Sequence, residues 1–236
     1  MIKLFVIPAG IPDDLDRSRP VIVIDVFRAS TSITAALHAG STSIHVAGSM
    51  DEAERLKRNL GDRTVMAGER KGLKIPGYDL GNSPREMTPE TVGGRPVIFN
   101  STNGTKLLRH LAGFEHVAVG SLVSLSATVS YAVPFIVDPV ICCAGREGTF
   151  SAEDTLAAGL LISRLQRSDT DLDDAALFAR RLVESAGENW RDWARNSIHG
   201  RYLASLGLAD DLDYCLTVDR FDFVPILSGE KIVRSS

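Results

Sequence analysis

VIVIDVFRASTS, from Val21 to Ser32, is the stretch that decides the fold. Four β-favouring apolar residues run without polar alternation, stop at the acid Asp25, and pass through a turn into a hydroxyl-rich helix start. An unbroken apolar strand is what a parallel sheet covered by helices on both faces requires. The same layout recurs at RPVIFNSTNGTK (Arg95 to Lys106) and at PVICCAGREGTFSAEDT (Pro139 to Thr155). In open α/β sheets, ligands sit beyond the carboxyl ends of the strands. Free N–H groups at a helix start, at the positive end of its dipole, favour a bound anion. The chain therefore reads as α/β, a mostly parallel sheet in three layers, holding a small anionic, phosphorylated molecule with a divalent metal.

The rest of the chain extends this alternation. Strands are expected at Ile2–Ile7, Val21–Asp25, Ser43–Val46, Thr64–Ala67, Val97–Asn100, His116–Val119 and Val137–Cys142. Helices are expected at Ser30–Ala39, Met50–Leu60, Asn103–Ala112, Ser124–Val133 and Ala152–Leu165. Ser49 and Glu52 have capping-box spacing ahead of the second helix. From Ser168 glycine thins out and helical periodicity dominates, so residues 168–236 read as a helix-rich part of one domain spanning 1–236. The tail DRFDFVPIL reads as an edge strand, where Pro225 is tolerated.

Composition excludes several classes. A net charge of −4 argues against broad nucleic-acid binding. No apolar run approaches the 18 or so residues of a membrane helix, and the opening MIKLFVIPAG reads as a strand rather than a signal peptide. Three cysteines, two of them adjacent, suit a reducing, cytoplasmic setting better than a disulfide framework. A homodimer is left open.

One segment breaks the pattern. AGERKGLKIPGYDLGNSP, Ala67 to Pro84, is long for a connection and too apolar for a linker. It reads either as an ordered surface excursion or as a functional loop presenting Glu69, Asp79, Asn82 and Ser83. Arg70, Lys71 and Lys74 offer it cations.

Asp25 itself has two readings, a Mg²⁺ ligand or nucleophile on one side and a helix cap or partner of Arg28 on the other. Arg28 either grips an anion bidentately or pairs with Asp25. Ser30 and Thr31 either donate to an anion or cap a helix. STNGTK crowds Thr102, Asn103, Gly104 and Thr105 around a helix start without matching a P-loop, and reads as an oxyanion cradle. Glu153 and Asp154 complement a helix dipole for structural reasons alone. Cysteine-phosphatase chemistry fails, since Gly148 and Thr149 stand where its arginine belongs. The Asp-x-Asp of haloacid dehalogenases fails at Phe27. The scattered histidines show no zinc spacing.

Taken together, DVFRASTSI, AGERKGLKIPGYDLGNSP, NSTNGTKLL, VAVGSLVSLSA and CCAGREGTFSAEDTLAAG, in that order, resemble the 2-phosphosulfolactate phosphatase (ComB-like) family. The likeness continues more weakly into LASLGLADDLDYC. It implies an α/β fold and Mg²⁺-dependent hydrolysis of 2-phospho-3-sulfolactate to 3-sulfolactate and phosphate, a step in coenzyme M biosynthesis. Carried over by motif, it points to Asp25, Arg28, Ser30, Thr31, Glu69, Asp79, Asn82, Ser83, Thr102, Asn103, Gly104, Thr105, Gly145, Glu153 and Asp154. On this reading Asp25, Arg28, Glu69 and Asp154 are catalytic, with Mg²⁺ on Asp25, Glu69 and Asp154. Arg70, Lys74 and Arg146 join the substrate side, and Thr102 to Thr105 hold the phosphoryl group. Three positions depart from the family pattern: Phe27 for leucine, Ser101 for threonine, and Ser124 for asparagine, the last pointing to altered substrate choice. The alternatives are another phosphorylated hydroxy acid as substrate, or a phosphometabolite-binding protein without turnover.

Overall fold

Val21 and Val23 face one side of the sheet, Ile22 and Ile24 the other, and all four are buried. That two-sided burial is why the strand sequence lacks polar alternation. The computed structural model describes residues 1–135, 138–165 and 168–235. Val137, the expected start of one strand, and Ser236, the expected end of the domain, lie outside them.

The strands are β1 (Lys3–Phe5), β2 (Val21–Ile24), β3 (Ser43–Val46), β4 (Val65–Arg70) and β5 (Leu73–Lys74). They continue with β6 (Pro96–Asn100), β7 (Val117–Gly120), β8 (Val140–Cys143), β9 (Pro225–Ser228) and β10 (Lys231–Arg234). The first helices are α1 (Ala29–His38), α2 (Met50–Leu60), α3 (Pro89–Val92), α4 (Gly104–His110) and α5 (Leu125–Ala132). The C-terminal part contains α6 (Ala152–Arg164), α7 (Asp174–Ala186), α8 (Trp190–Arg195), α9 (Ile198–Ser205) and α10 (Ala209–Cys215).

One mixed sheet runs in the order β1-β8-β2-β7-β9-β10-β3-β6-β4-β5. Two parallel blocks, β1-β8-β2-β7 and β3-β6-β4, are joined by the antiparallel hairpin β9–β10. The joints are narrow, Ala118 opposite Ile226 on one side and Ile44 opposite Ile232 on the other. The tail is thus central, not the edge strand expected. Pro225 is tolerated because it is the first residue of its strand.

Helices α1 and α4 pack against residues from both blocks, so one core unites them. The opposite face of the first block is covered by α6, α7 and the C-terminal helices, and that of the second by α2. Three layers result, as expected. Ser49 caps α2 by accepting the Glu52 N–H. Glu52 instead accepts from the Gly48 N–H, so only half of the expected capping box forms.

The segment from Ala67 to Pro84 is more regular than its sequence suggested. Strand β4 continues through Arg70 and returns as β5 around a two-residue turn at Lys71 (φ 51°) and Gly72 (φ 75°). Positive φ at both positions is the geometry whose twist matches a tight hairpin. Asp79 is exposed, and its carboxylate accepts the Met66 N–H, tying the loop back to β4.

Candidate functional site

Strand β2 ends at Asp25, which is only 7% exposed. The Asp25 N–H donates to Ser30 Oγ at 2.9 Å, and the Ser30 N–H donates to the Asp25 carbonyl at 3.0 Å. Ser30 therefore builds the turn, and it does not line the cleft above Asp25. Thr31, fully buried, donates to the Val26 carbonyl and is likewise internal. Burial pushes the Asp25 carboxyl up to about 6; His199 opposes that rise, while Glu69 and Glu153 add to it. Gly104 makes room for this acid: a Cβ there would stand 2.6 Å from Asp25 Oδ2. Its φ is not positive, so closeness to Asp25 rather than backbone freedom is what demands glycine.

Above Asp25 lies a cleft of about 150 Å³ lined by Asp25, Phe27, Arg28, Glu69, Lys71, Gly72, Asn82, Ser101, Thr102, Asn103, Arg146, Glu147, His199, Tyr202 and Leu203. Glu69 Oε1 accepts the Thr102 N–H at 2.6 Å and Oε2 the Gly72 N–H at 2.8 Å, coupling the hairpin turn to the STNGTK turn. Asn103 Oδ1 accepts the Glu147 N–H at 3.0 Å, adding the loop after β8. Asn82 Oδ1 and Thr102 Oγ1 are buried without a hydrogen-bond partner among the described residues, and both residues line the cleft. Buried polar atoms normally find partners, so these two leave hydrogen-bonding capacity unused among residues that line the cleft.

Other expected site residues are placed elsewhere. The Thr105 N–H is taken by Ser101 Oγ, and its hydroxyl by the Ser101 carbonyl. Gly145 donates its N–H to Asp154 and holds a turn at φ 65°. Asp154 lies behind the cleft, its oxygens accepting from Val26 N at 2.8 Å and Gly145 N at 3.2 Å. Burial, with Asp25 and Glu153 beside it, pushes its carboxyl well above the usual carboxylate range. It ties the ends of β2 and β8 together. Ser124 is buried against Ser121 and does not line the cleft.

Arg28 does not pair with Asp25. Its Nη1 donates to Asp211 Oδ2 at 2.6 Å and its Nη2 to the Gly72 carbonyl at 2.7 Å. Ser83 donates to the other Asp211 oxygen at 2.6 Å. Arg28 and Asp211 are each 3% exposed, so α10 delivers the counter-charge that fixes Arg28 in the cleft wall. Arg70 turns away to Asn100 Oδ1 and its neighbour's carbonyl, and the exposed Lys74 lies outside the cleft.

The C-terminal helices contribute what sequence reading missed. His199 on α9 lines the cleft, and its Nδ1 lies 3.0 Å from Glu153 Oε1. Burial alone would raise Glu153, but the hydrogen bond and charge of His199 outweigh it and hold the acid below its ordinary value. Tyr202, one turn on, faces Arg146. Neither His199 nor Tyr202 belongs to a motif; their only signal was a His-x-x-Tyr spacing on one helix face.

Among the described residues, no three His, Cys, Asp or Glu side chains form a metal cage. The expected triad of Asp25, Glu69 and Asp154 therefore does not assemble as such. Asp25, Glu69, Asn82 and Thr102, which carry hard oxygen donors, do line the cleft. That donor set suits a hydrated Mg²⁺, which is held by one or two carboxylates plus substrate phosphate rather than by an all-protein cage. The three cysteines are free and buried, and burial pushes Cys142 and Cys215 up to about 12. Thiolate chemistry is thereby disfavoured.

A buried acid at a strand end, amide-rich turns and cations at the mouth place the protein among α/β proteins that hold small anions beyond their strands' carboxyl ends. Comparison with known proteins narrows this. The 2-phosphosulpholactate phosphatase family matches residues 5–230. A relative from Caldanaerobacter subterraneus subsp. tengcongensis is 40% identical over 93% of this chain and 92% of its own. One from Symbiobacterium thermophilum is 36% identical over 91% and 94%, and one from Thermotoga petrophila 37% identical over 89% of each. All three are described as probable 2-phosphosulfolactate phosphatases. The chain belongs to the 2-phosphosulfolactate phosphatase family, a family of phosphoric monoester hydrolases.

Proposed function

We propose that this protein is a Mg²⁺-dependent phosphatase that hydrolyses 2-phospho-3-sulfolactate to 3-sulfolactate and phosphate. The observation that carries the reading is the pairing of buried Asp25 with unpartnered Asn82 Oδ1 and Thr102 Oγ1 in a cleft of family-matching loops. Asp25 and Glu69 would hold the metal, which when bound supplies positive charge to the phosphate oxygens.

The chain's own residues do the rest. Asn103 and Gly104 keep N–H groups without an acceptor among the described residues, and these orient the phosphoryl group. Arg28, fixed by Asp211, adds charge from the wall. His199, steered by Glu153, moves the proton to the departing alkoxide oxygen. Phosphoryl transfer depends on such positioning and charge compensation. A purely binding protein gives no reason for carboxylates in an anion cleft, whereas a metal-assisted hydrolase does. Phosphate release from a panel of phosphorylated hydroxy acids, with Mg²⁺ and with EDTA, tests the reading. Release from 2-phospho-3-sulfolactate that EDTA abolishes is expected, and full release after chelation contradicts the metal role.

A further inference from the structure

Large apolar side chains are seldom left together in water, yet four of them crowd one face of the helical part. Phe150 before α6, Phe178 on α7, Trp193 on α8 and Ile198 on α9 are between 44% and 74% exposed. Phe150, Trp193 and Ile198 line a groove of about 530 Å³, together with Leu156, Leu182 and Arg201. Phe178 precedes Leu182 by four residues on α7, which puts both on one helix face. It is the most exposed of the four, so it projects beside the groove. The groove shares no residue with the cleft above Asp25.

We infer that this face joins two copies of the chain about a twofold axis, with Phe178 of each copy seated in the groove of the other. Two features select a second copy as the occupant. An isologous contact requires a patch that complements itself, and here a groove and a projecting aromatic side chain lie on one face. The area fits as well. An aromatic side chain carries about 150–250 Å², so these four expose on the order of 500 Å² of apolar surface. That lies in the upper part of the range for the largest patch on a monomer, about 300–600 Å² and often functional. It also matches the apolar share of a homodimer interface, about 65% of about 800 Å² per partner. The contact is independent of the phosphatase reading.

The test is the solution mass of the full chain by sedimentation equilibrium over a dilution series. The parent is expected to be a dimer at about 10 µM, with Kd below about 1 µM. Phe178→Lys and Ile198→Glu, both at exposed positions, should each raise Kd at least about 30-fold, the loss that marks a hot-spot residue. Arg201 in the groove adds like-charge repulsion to the first of these. Met50→Lys and Val133→Lys, at exposed apolar positions outside the groove, should leave Kd within about threefold. Mixing Phe178→Lys with Ile198→Glu should restore a dimer, since the mixed pair keeps one native contact and gains opposite charges at the other. A melting curve checks that each variant folds. A parent that is monomeric at about 10 µM, which would leave the face to a different partner, overturns the inference. So does a dimer that Phe178→Lys and Ile198→Glu leave intact, one that Met50→Lys weakens equally, or a mixture that stays monomeric.

Discussion

An acid that is almost wholly buried opposes its own ionisation, and at Asp25 this yields a signature separating function from stability. Its carboxyl is raised to about 6, against an ordinary value of 3.8, first by burial. A carboxyl raised on folding favours the native state at low pH, and that contribution is lost as pH rises through about 6. Without metal, Asp25→Asn should therefore stabilise the protein at pH 8, by on the order of 2 kcal/mol or a few degrees in Tm, and leave pH 4 stability nearly unchanged. The same change should remove most turnover. Melting curves at the two pH values check the first claim; an unchanged Tm at pH 8 would show that the buried charge is compensated. Gly104→Val tests the space beside this acid. Its Cβ meets Asp25 Oδ2 and Ala29, so phosphate hydrolysis should fall by at least about tenfold, if the displaced carboxylate costs 1.4 kcal/mol or more. Full activity would mean the acid can move freely.

At the scale of elements, strand ends were legible and helix faces were not. Asp25 stood out because an apolar strand stopping at an acid has a local signature; Glu69 stood out only within the long Ala67–Pro84 segment, and Thr102 only within the hydroxyl-rich helix start STNGTK. Arg28's partner was not, because Asp211 lies 183 residues away on α10. His199 was missed for the same reason: α9 reaches the cleft only through tertiary packing, and its sequence carries no site motif. The place of Asp154 behind the cleft was not legible, because an acid in the first turn of a helix looks alike whether it faces a ligand or, as here, two backbone amides. Asp211→Ala would leave Arg28 charged and buried without its partner. Such losses cost about 3–5 kcal/mol, and chemical denaturation should show a drop of that size. A loss below about 1 kcal/mol would mean that water replaces the pair at little cost.

For the molecule as a whole, the alternation of strands and helices was visible from composition and pattern, but the placing of the tail was not. Local pattern reports that Pro225 to Ser228 is a strand, whereas its position depends on which gap in the sheet the hairpin fills. Ile232 is fully buried at the narrow joint with β3. Ile232→Ala should cost about 2–5 kcal/mol and lower Tm accordingly, because it opens a cavity where the blocks meet. A cost below about 1 kcal/mol would indicate that α1 and α4 alone unite them. The central claim is metal-assisted phosphate release at Asp25. Its most direct test is phosphate release from 2-phospho-3-sulfolactate by the parent and by Asp25→Asn, each with Mg²⁺ and with EDTA. Release by the parent with Mg²⁺ alone is the predicted result; release by Asp25→Asn at the parent's rate, or by the parent in EDTA, would contradict it.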